Sequence, residues 1–514
     1  MYRWTIPGQF RLDIPFGVEL STENRWVKLA GIMPWEAIEE RYSTNFAGVN
    51  GQVAKSGRLA FAALYIQGRL DLTDEETVNQ IQENPSMQYF CGFESYTTEK
   101  PFDTSLLVYF RKRLTPEIMQ EIAKAAFAAE AKKAIDKERS GKDGGGGPGT
   151  GESGCGETSK SAKGNPKGIV SKDTIENERS DKDCDGGAGT GDSGYGETTK
   201  SAEGTRGTML LDATCCPSDI HYPTDIGLLN HARELTEQII DELHEQLAKP
   251  GYEKPRTYRI VARKAYLGYA KKRKHTKEQL RKAIRQQLQF VRRNLDTIDS
   301  QVGQGAKLED ISNDLQKKHR VITELYHQQK EMHDKDTHTV EDRIVSISQP
   351  HLRPIVRGKT NAPVEFGAKV TTAHIGGFSF IIHMSYDNFS EAKYLEAAAE
   401  EYKGIFGFYP EKIIGDKAYG TRENRDYCKS KGIRLSGPRL GRKTDEAKEE
   451  ERKQIHQDGR KRNAIEGGYG TAKRKYGLGL IMAKLAETAK TEIAFGFFVK
   501  NMERLRLILS AKPG

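Results

Sequence analysis

Residues 208–225, TMLLDATCCPSDIHYPTD, govern how the rest of the chain is read. A short apolar run ending in Asp212 predicts a buried strand that delivers a carboxylate at its tip. Thr224 and Asp225 suit the start of a following helix, because a hydroxyl can cap the first turn and an acid favours its positive end. From 226 to about 333 the pattern is helical. Leu280, Ile284, Leu288, Val291, Leu295 and Ile298 recur near every 3.5 residues, as do Leu308, Ile311, Leu315, Ile322 and Leu325. Helices of this kind pack on each other, so a helical bundle inserted at about 226–340 is expected.

After 340 the signal alternates. RIVSISQ (343–349) reads as extended, and EFGAKVTTAHIGGFSFIIHMSY (365–386) as two strands around Gly376 and Gly377. A helix through YLEAAAEEYKGIF comes next, then the strand EKIIGDKAYG, the helix TRENRDYCKSKG and the strand IRLSG. This order predicts a mixed α/β sheet. Asp416, like Asp212, stands at a strand end.

Residues 1–135 read as a compact, mainly helical unit. GRLAFAALYIQGRL is an apolar helix, and Thr73 before Asp-Glu-Glu is a plausible N-cap for the next. Paired short helices are compatible with a helix-turn-helix, although many helical cores share that pattern. Residues 136–206 differ in kind. IDKERSGKDGGGGPGTGESGCGETSKSAKG (135–164) recurs forty residues later as IENERSDKDCDGGAGTGDSGYGETTKSAEG (175–204). This tandem duplication is too poor in apolar residues to offset its ordering entropy, and it reads as a flexible linker. Its Gly-x-Gly patterns lack the preceding strand and following helix of a nucleotide-binding loop.

Composition fits a partner of opposite charge. The chain has 514 residues, a formal charge of +9, 36% hydrophobic residues and 30% charged ones. Basic clusters at KKRKHTKEQLRKAIRQ (271–286) and RKRNAIEGGYGTAKRK (460–475) point to a polyanion. The cysteines at 91, 155, 184, 215, 216 and 428 have neither zinc-site spacing nor the look of a disulfide framework. The N-terminus lacks a basic head followed by an apolar core, and no apolar run is long enough to span a membrane. A cytoplasmic, nucleoid-associated location is expected.

Within 461–477, KRNAIEGGYGTAKRKYG, a single acid, Glu466, sits among cations. On a helix, Arg462 and Lys473 share its face. Gly467, Gly468 and Gly470 each cost roughly 1 kcal/mol against Ala in a helix interior, which suggests close approach of a ligand backbone. A carboxylate in a basic field suits a metal ion beside a polyanion. Asp212, Asp416 and Glu466 thus form a set: two strand-end aspartates and a helical glutamate. Ribonuclease H-like folds present their metal ligands in this order, holding two Mg²⁺ or Mn²⁺ ions roughly 4 Å apart.

The chain resembles bacterial insertion-sequence transposases of the DDE class, in the group with an InsH-like N-terminal domain. The resemblance is carried by PFDTSLLVYFRKRL, LLDATCCPSDIHYPTD, DRIVSISQPHLRPIVRGK with VEFGAK, GDKAYGTRENRDYCKSKGIRLSGPRLGR and the Arg462/Glu466/Lys473 spacing. It implies a ribonuclease H-like catalytic domain over 207–510, with Asp212, Asp416 and Glu466 as catalytic metal ligands for two Mg²⁺ or Mn²⁺ ions. It implies an N-terminal DNA-binding or accessory domain, and double-stranded DNA as partner: terminal inverted repeats and target, bound as a homodimer or higher oligomer. Arg462, Lys473, Arg474, Arg357, Lys359, Arg422, Lys272 and Arg273 are the expected DNA contacts. The family signature usually begins with Tyr three residues before the arginine; Gly459 stands there instead. Asp342 is a rival first aspartate, but a polar stretch leads into it. Tyr419 beside Asp416 suggests a tyrosine recombinase, but the companion arginines and histidines are not arranged around it. A catalytically silent DNA-binding derivative and a nuclease that only hydrolyses are the alternatives.

Overall fold

The computed structural model describes residues 20–46, 53–143, 205–247, 253–356, 364–438 and 444–511. The duplicated segment expected to be a linker lies outside these residues, apart from its first and last few positions. Arg357, Lys359, Cys155 and Cys184 also lie outside them.

The chain opens with α1 (Arg25–Ile32), α2 (Trp35–Ser43), α3 (Gly57–Leu70), α4 (Asp74–Glu83), α5 (Pro85–Cys91), α6 (Leu106–Arg113) and α7 (Pro116–Asp143). Local chemistry sets their starts. Ser56 caps α3 by accepting from the Leu59 N–H, and Thr73 caps α4 by accepting from that of Glu76, as expected. α3 is buried without a break from Gly57 to Ile66, as a helix apolar on all sides must be. It is therefore a core helix with no face free to read DNA. α7 continues past residue 135, and its Glu138 accepts from Thr208 Oγ1 at 2.8 Å.

β1 (Thr208–Pro217) follows, then four helices: α8 (Asp225–Leu247), α9 (Arg259–Ala270), α10 (Lys277–Gly303) and α11 (Asn313–Lys335). Next come β2 (Pro354–Val356), β3 (Val364–Ile375), β4 (Phe378–Ser385), α12 (Leu395–Phe406), β5 (Lys412–Ile414), α13 (Arg422–Ser430), β6 (Arg434–Leu435), α14 (Asp445–Lys475) and α15 (Ala486–Ser510). The six strands among the described residues make one mixed sheet. β3 and β5 flank β1, the first antiparallel and the second parallel. β6 continues in parallel beyond β5. On the far edge of β3, its C-terminal part pairs with β4 and its N-terminal part with β2, both antiparallel. The tight β3–β4 turn uses Gly376 and Gly377 at φ 58° and 92°, values that favour glycine.

Two apolar cores result. The larger joins the sheet to the N-terminal helices and α15. Phe61 of α3 meets Phe495 at 4.9 Å and Phe498 at 5.1 Å between ring centroids, and Phe127 of α7 stacks on Phe378 at 5.4 Å. Each such pair contributes about 0.5–1.5 kcal/mol beyond its area. The smaller core belongs to α8, α10 and α11 and holds Ile284, Leu288, Val291, Ile298, Ile311, Leu315, Ile322 and Leu325, as the heptad spacing predicts. Leu280, Leu295 and Leu308 pack on it, partly buried.

Two expectations are corrected. RIVSISQ forms no strand, because residues 343–349 have no ladder partner among the described residues. The segment instead runs along the seam between the cores, with Ile344 and Ile347 entering the bundle and Val345 the sheet core. Its apolar alternation comes from facing two cores. Asp212 is not at a strand tip either. β1 runs five residues further, because Ala213, Thr214, Cys215 and Cys216 are buried and pair with β3.

Candidate active site

The parallel pairing of β1 with β5 sets the two aspartates level. The last paired residues are Leu210 and Ile414, and two positions on come Asp212, still within β1, and Asp416, just past the end of β5. β5 ends there and leaves the β1 edge beside Asp212 open. Asp416 turns out of the sheet as the cap of a short 3-10 turn, Lys417–Tyr419, and accepts from the Lys417 N–H at 2.5 Å.

α14 crosses this opening. The Tyr469 hydroxyl donates to the Asp212 carbonyl oxygen at 2.9 Å and lies 2.8 Å from Thr372 Oγ1, on the residue paired with Asp212 across the sheet. Arg434 of β6 grips the buried Asp458 carboxylate with both guanidinium nitrogens, at 2.9 and 2.7 Å. These two ties fix the helix in position and in rotation. Arg462 is then aimed at both remaining acids, donating to Asp416 Oδ1 at 3.3 Å and Glu466 Oε1 at 3.1 Å.

The field around Asp212 is negative and partly dry. Burial raises its carboxyl to about 6; the Ala213 N–H and Arg462 oppose the rise, while the charges of Glu391 and Asp416 add to it. Glu391, in the 3-10 turn Glu391–Tyr394, is paired with Lys369 at 3.0 Å. No sequence signal pointed to Glu391 or Lys369. Tyr469 was detectable in principle, since it lies three residues past Glu466 and so one turn along the helix. Tyr419 is buried, its hydroxyl has no hydrogen-bond partner among the described residues, and burial pushes its pKa far up, so it is no exposed nucleophile.

The fold sets Arg462 against both Asp416 and Glu466, and places Asp212 close enough to Arg462 and Asp416 to feel their charges. Among the described residues, no three His, Cys, Asp or Glu side chains stand close enough to hold one metal ion. Lys473 lies two turns beyond Glu466, close enough to the Cys215 thiol to act on its charge. Arg474 is exposed one turn after Gly470. Arg422 is exposed as the first residue of α13. Lys272 and Arg273 are exposed in the turn between α9 and α10, on the bundle. Gly467 faces open space, whereas a Cβ on Gly468 would come within 3.2 Å of Lys500 Cε. Gly459, where the signature has Tyr, also faces open space. Asp342 sits in a left-handed turn at φ 50° and faces Arg353 at 3.6 Å, and no bond ties it to these acids.

Comparison with known families fits this geometry. The model of the transposase DDE domain matches residues 413–503, the span holding Asp416, Arg462 and Glu466. That of a transposase domain, DUF772, matches residues 17–113, the span that holds α1 to α6. Two separate parts of the chain thus match transposase domains. Asp212 and the bundle lie outside both matched spans. The uncharacterized protein ORF8 in the nfe locus of Rhizobium meliloti is 39% identical over 103 residues, 20% of this chain. The match spans about half that relative's length, 49%. No solved structure matches. No helix among the described residues is long and apolar enough to cross a membrane.

Proposed function

We propose that the protein binds the ends of an insertion sequence and catalyses strand cleavage and strand transfer in a ribonuclease H-like domain at 207–510. The N-terminal helices (1–135) serve as its accessory domain and the bundle as an insertion. The observation that carries this reading is the level placement of Asp212, within β1, and Asp416, just past the end of the parallel β5, with Arg462 of α14 bonded to both Asp416 and Glu466.

The donor set fits divalent metal. Three carboxylates supply hard oxygens, and Asp212 is held in a negative, desolvated spot where a cation would restore its charged form. Mg²⁺ or Mn²⁺ ions held by Asp212, Asp416 and Glu466 would supply the charge that activates the attacking oxygen and stabilises the leaving one. The chain's own residues supply position. Arg462 holds two of the acids, Tyr469 fastens α14 to the backbone of Asp212, and Arg434–Asp458 fastens the helix to β6. Water attacks phosphorus at the transposon end and frees a 3′-OH, which attacks target DNA. Lys473, Arg474, Arg422, Lys272 and Arg273 contact phosphates, and two or more copies hold the paired ends.

A silent DNA-binding derivative is the second reading, supported by Arg462 occupying the ground between Asp416 and Glu466. Gel shift and end cleavage on the same DNA separate the two. Asp416→Ala or Glu466→Ala should lower Mg²⁺-dependent cleavage on the order of 10³-fold or more with DNA affinity retained, and Asp342→Ala should change neither. Equal cleavage by Glu466→Ala and wild type would leave the acid as an ion-pair partner of Arg462.

A further inference from the structure

α9 is attached to the molecule by one side only. Ala262 is its only buried residue, and the face opposite, at helical spacing, carries Ile260, Lys264, Leu267 and then Lys271, with Arg263 on its flank. A solvated helix face is ordinarily polar. Here Ile260 is 85% exposed, the adjacent Val261 58% and Leu267 37%. Gly268, between Leu267 and the basic turn, has nothing within 4 Å of where a Cβ would lie, which leaves the helix backbone itself approachable.

The surroundings are strongly basic. Residues 253–285 hold thirteen Lys or Arg against two acids, a surplus of eleven that exceeds the +9 of the whole chain. Neighbouring acids neutralise some of them: Asp241 pairs with Lys254 and Arg259, and Asp336 with Lys277 and Arg281. Among the described residues, no carboxylate pairs with Arg263, Lys264, Lys271, Lys272, Arg273 or Lys274.

We propose that α9 is a DNA-docking helix whose outer stripe seats Ile260 and Leu267 against sugar and base surface while Arg263, Lys264 and Lys271 take the flanking phosphates. This deepens, and rests on, the transposase reading. Charge complementarity selects the occupant. A second copy of the same face would bring the surplus of positive charge against itself, and two aliphatic side chains are a small anchor for a lipid surface. Duplex DNA offers dense negative charge together with apolar base and sugar surface at groove depth. The aliphatic contacts add affinity that salt cannot screen, and the cations add affinity that it can.

The test is fluorescence anisotropy of a labelled duplex several helical turns long, titrated with the full chain over a range of salt. The double variant Ile260→Ser/Leu267→Ser should weaken binding on the order of tenfold without changing the salt slope. The double variant Arg263→Ala/Lys264→Ala should lower the slope by about two units. Both positions are exposed, so unchanged melting of each variant is expected and is measured alongside. Wild-type affinity in the aliphatic variant overturns the docking helix and leaves the transposase reading intact. Failure of the wild-type chain to bind any duplex removes both. Tighter binding of the wild-type chain to vesicles of equal parts phosphatidylcholine and phosphatidylserine than to the duplex, lost in the aliphatic variant, would make the stripe a lipid contact and overturn the proposal.

Discussion

The sheet-centred core and the bundle core differ in what they demand of their parts. In the sheet core, elements hundreds of residues apart in sequence interlock: α3, α7, the β3–β4 hairpin and α15 meet through Phe61, Phe127, Phe378 and Phe498. The bundle is local, made of helices that follow each other and close on their own apolar seam. The candidate acids sit on the interlocked region, where strand register and the ties from α14 fix them. The basic, exposed α9 is carried by the local one, which needs only to present a surface. Positioning to a fraction of an ångström calls for long-range packing, whereas attraction of a polyanion calls for charge on an accessible support.

That contrast can be broken by mutation. Phe498 touches the rings of Phe61, Tyr65 and Phe127, so Phe498→Ala should cost roughly 3–5 kcal/mol. If the core is shared, calorimetry should show the N-terminal helices and the sheet losing stability in one transition; separate shifts would divide them. Ile322, fully buried in α11, should cost about 3 kcal/mol as Ile322→Ala. Hydrogen exchange should place that loss in α8, α10 and α11 and leave β1 and β3 protected; loss of protection in β1 would couple the two cores. The smallest effect belongs to the end of α10, where Thr276 and Gln279 make a reciprocal capping box. Thr276→Ala should cost about 1 kcal/mol. Denaturant melts would show it, and a loss several times larger would mean that the α9–α10 turn is braced by more than its cap.

Much of this was legible in the sequence where a short-range rule applies. Gly376 and Gly377 mark the hairpin because positive φ is costly for other residues, and the leucine and isoleucine spacing of 280–325 marks the bundle because a helix has a fixed period. What stayed hidden was the identity of the opposing surface. Periodicity says that Ile344, Val345 and Ile347 are buried, but not that they face different cores. The apolar run before Asp212 predicts a strand, but its end was misplaced because Ala213 to Cys216 are small or weakly polar residues that pack as well as aliphatic ones. Of the candidate site, Asp416 and Glu466 could be named from their places after a strand and on a helix, and Asp212 from the apolar run before it, although it lies inside β1. Glu391 and Lys369 could not, since only the folded sheet brings Glu391 near Asp212.

The central claim is that Asp212, Asp416 and Glu466 act together on a divalent ion. It is tested most directly by titrating Mn²⁺ into the full chain and following the free-ion electron paramagnetic resonance signal, for wild type and for Asp212→Asn, Asp416→Asn and Glu466→Gln. The account predicts that wild type removes Mn²⁺ from solution, that each substitution weakens this uptake by at least about tenfold, and that Asp342→Asn does not. Equal uptake by wild type and all three variants would contradict it.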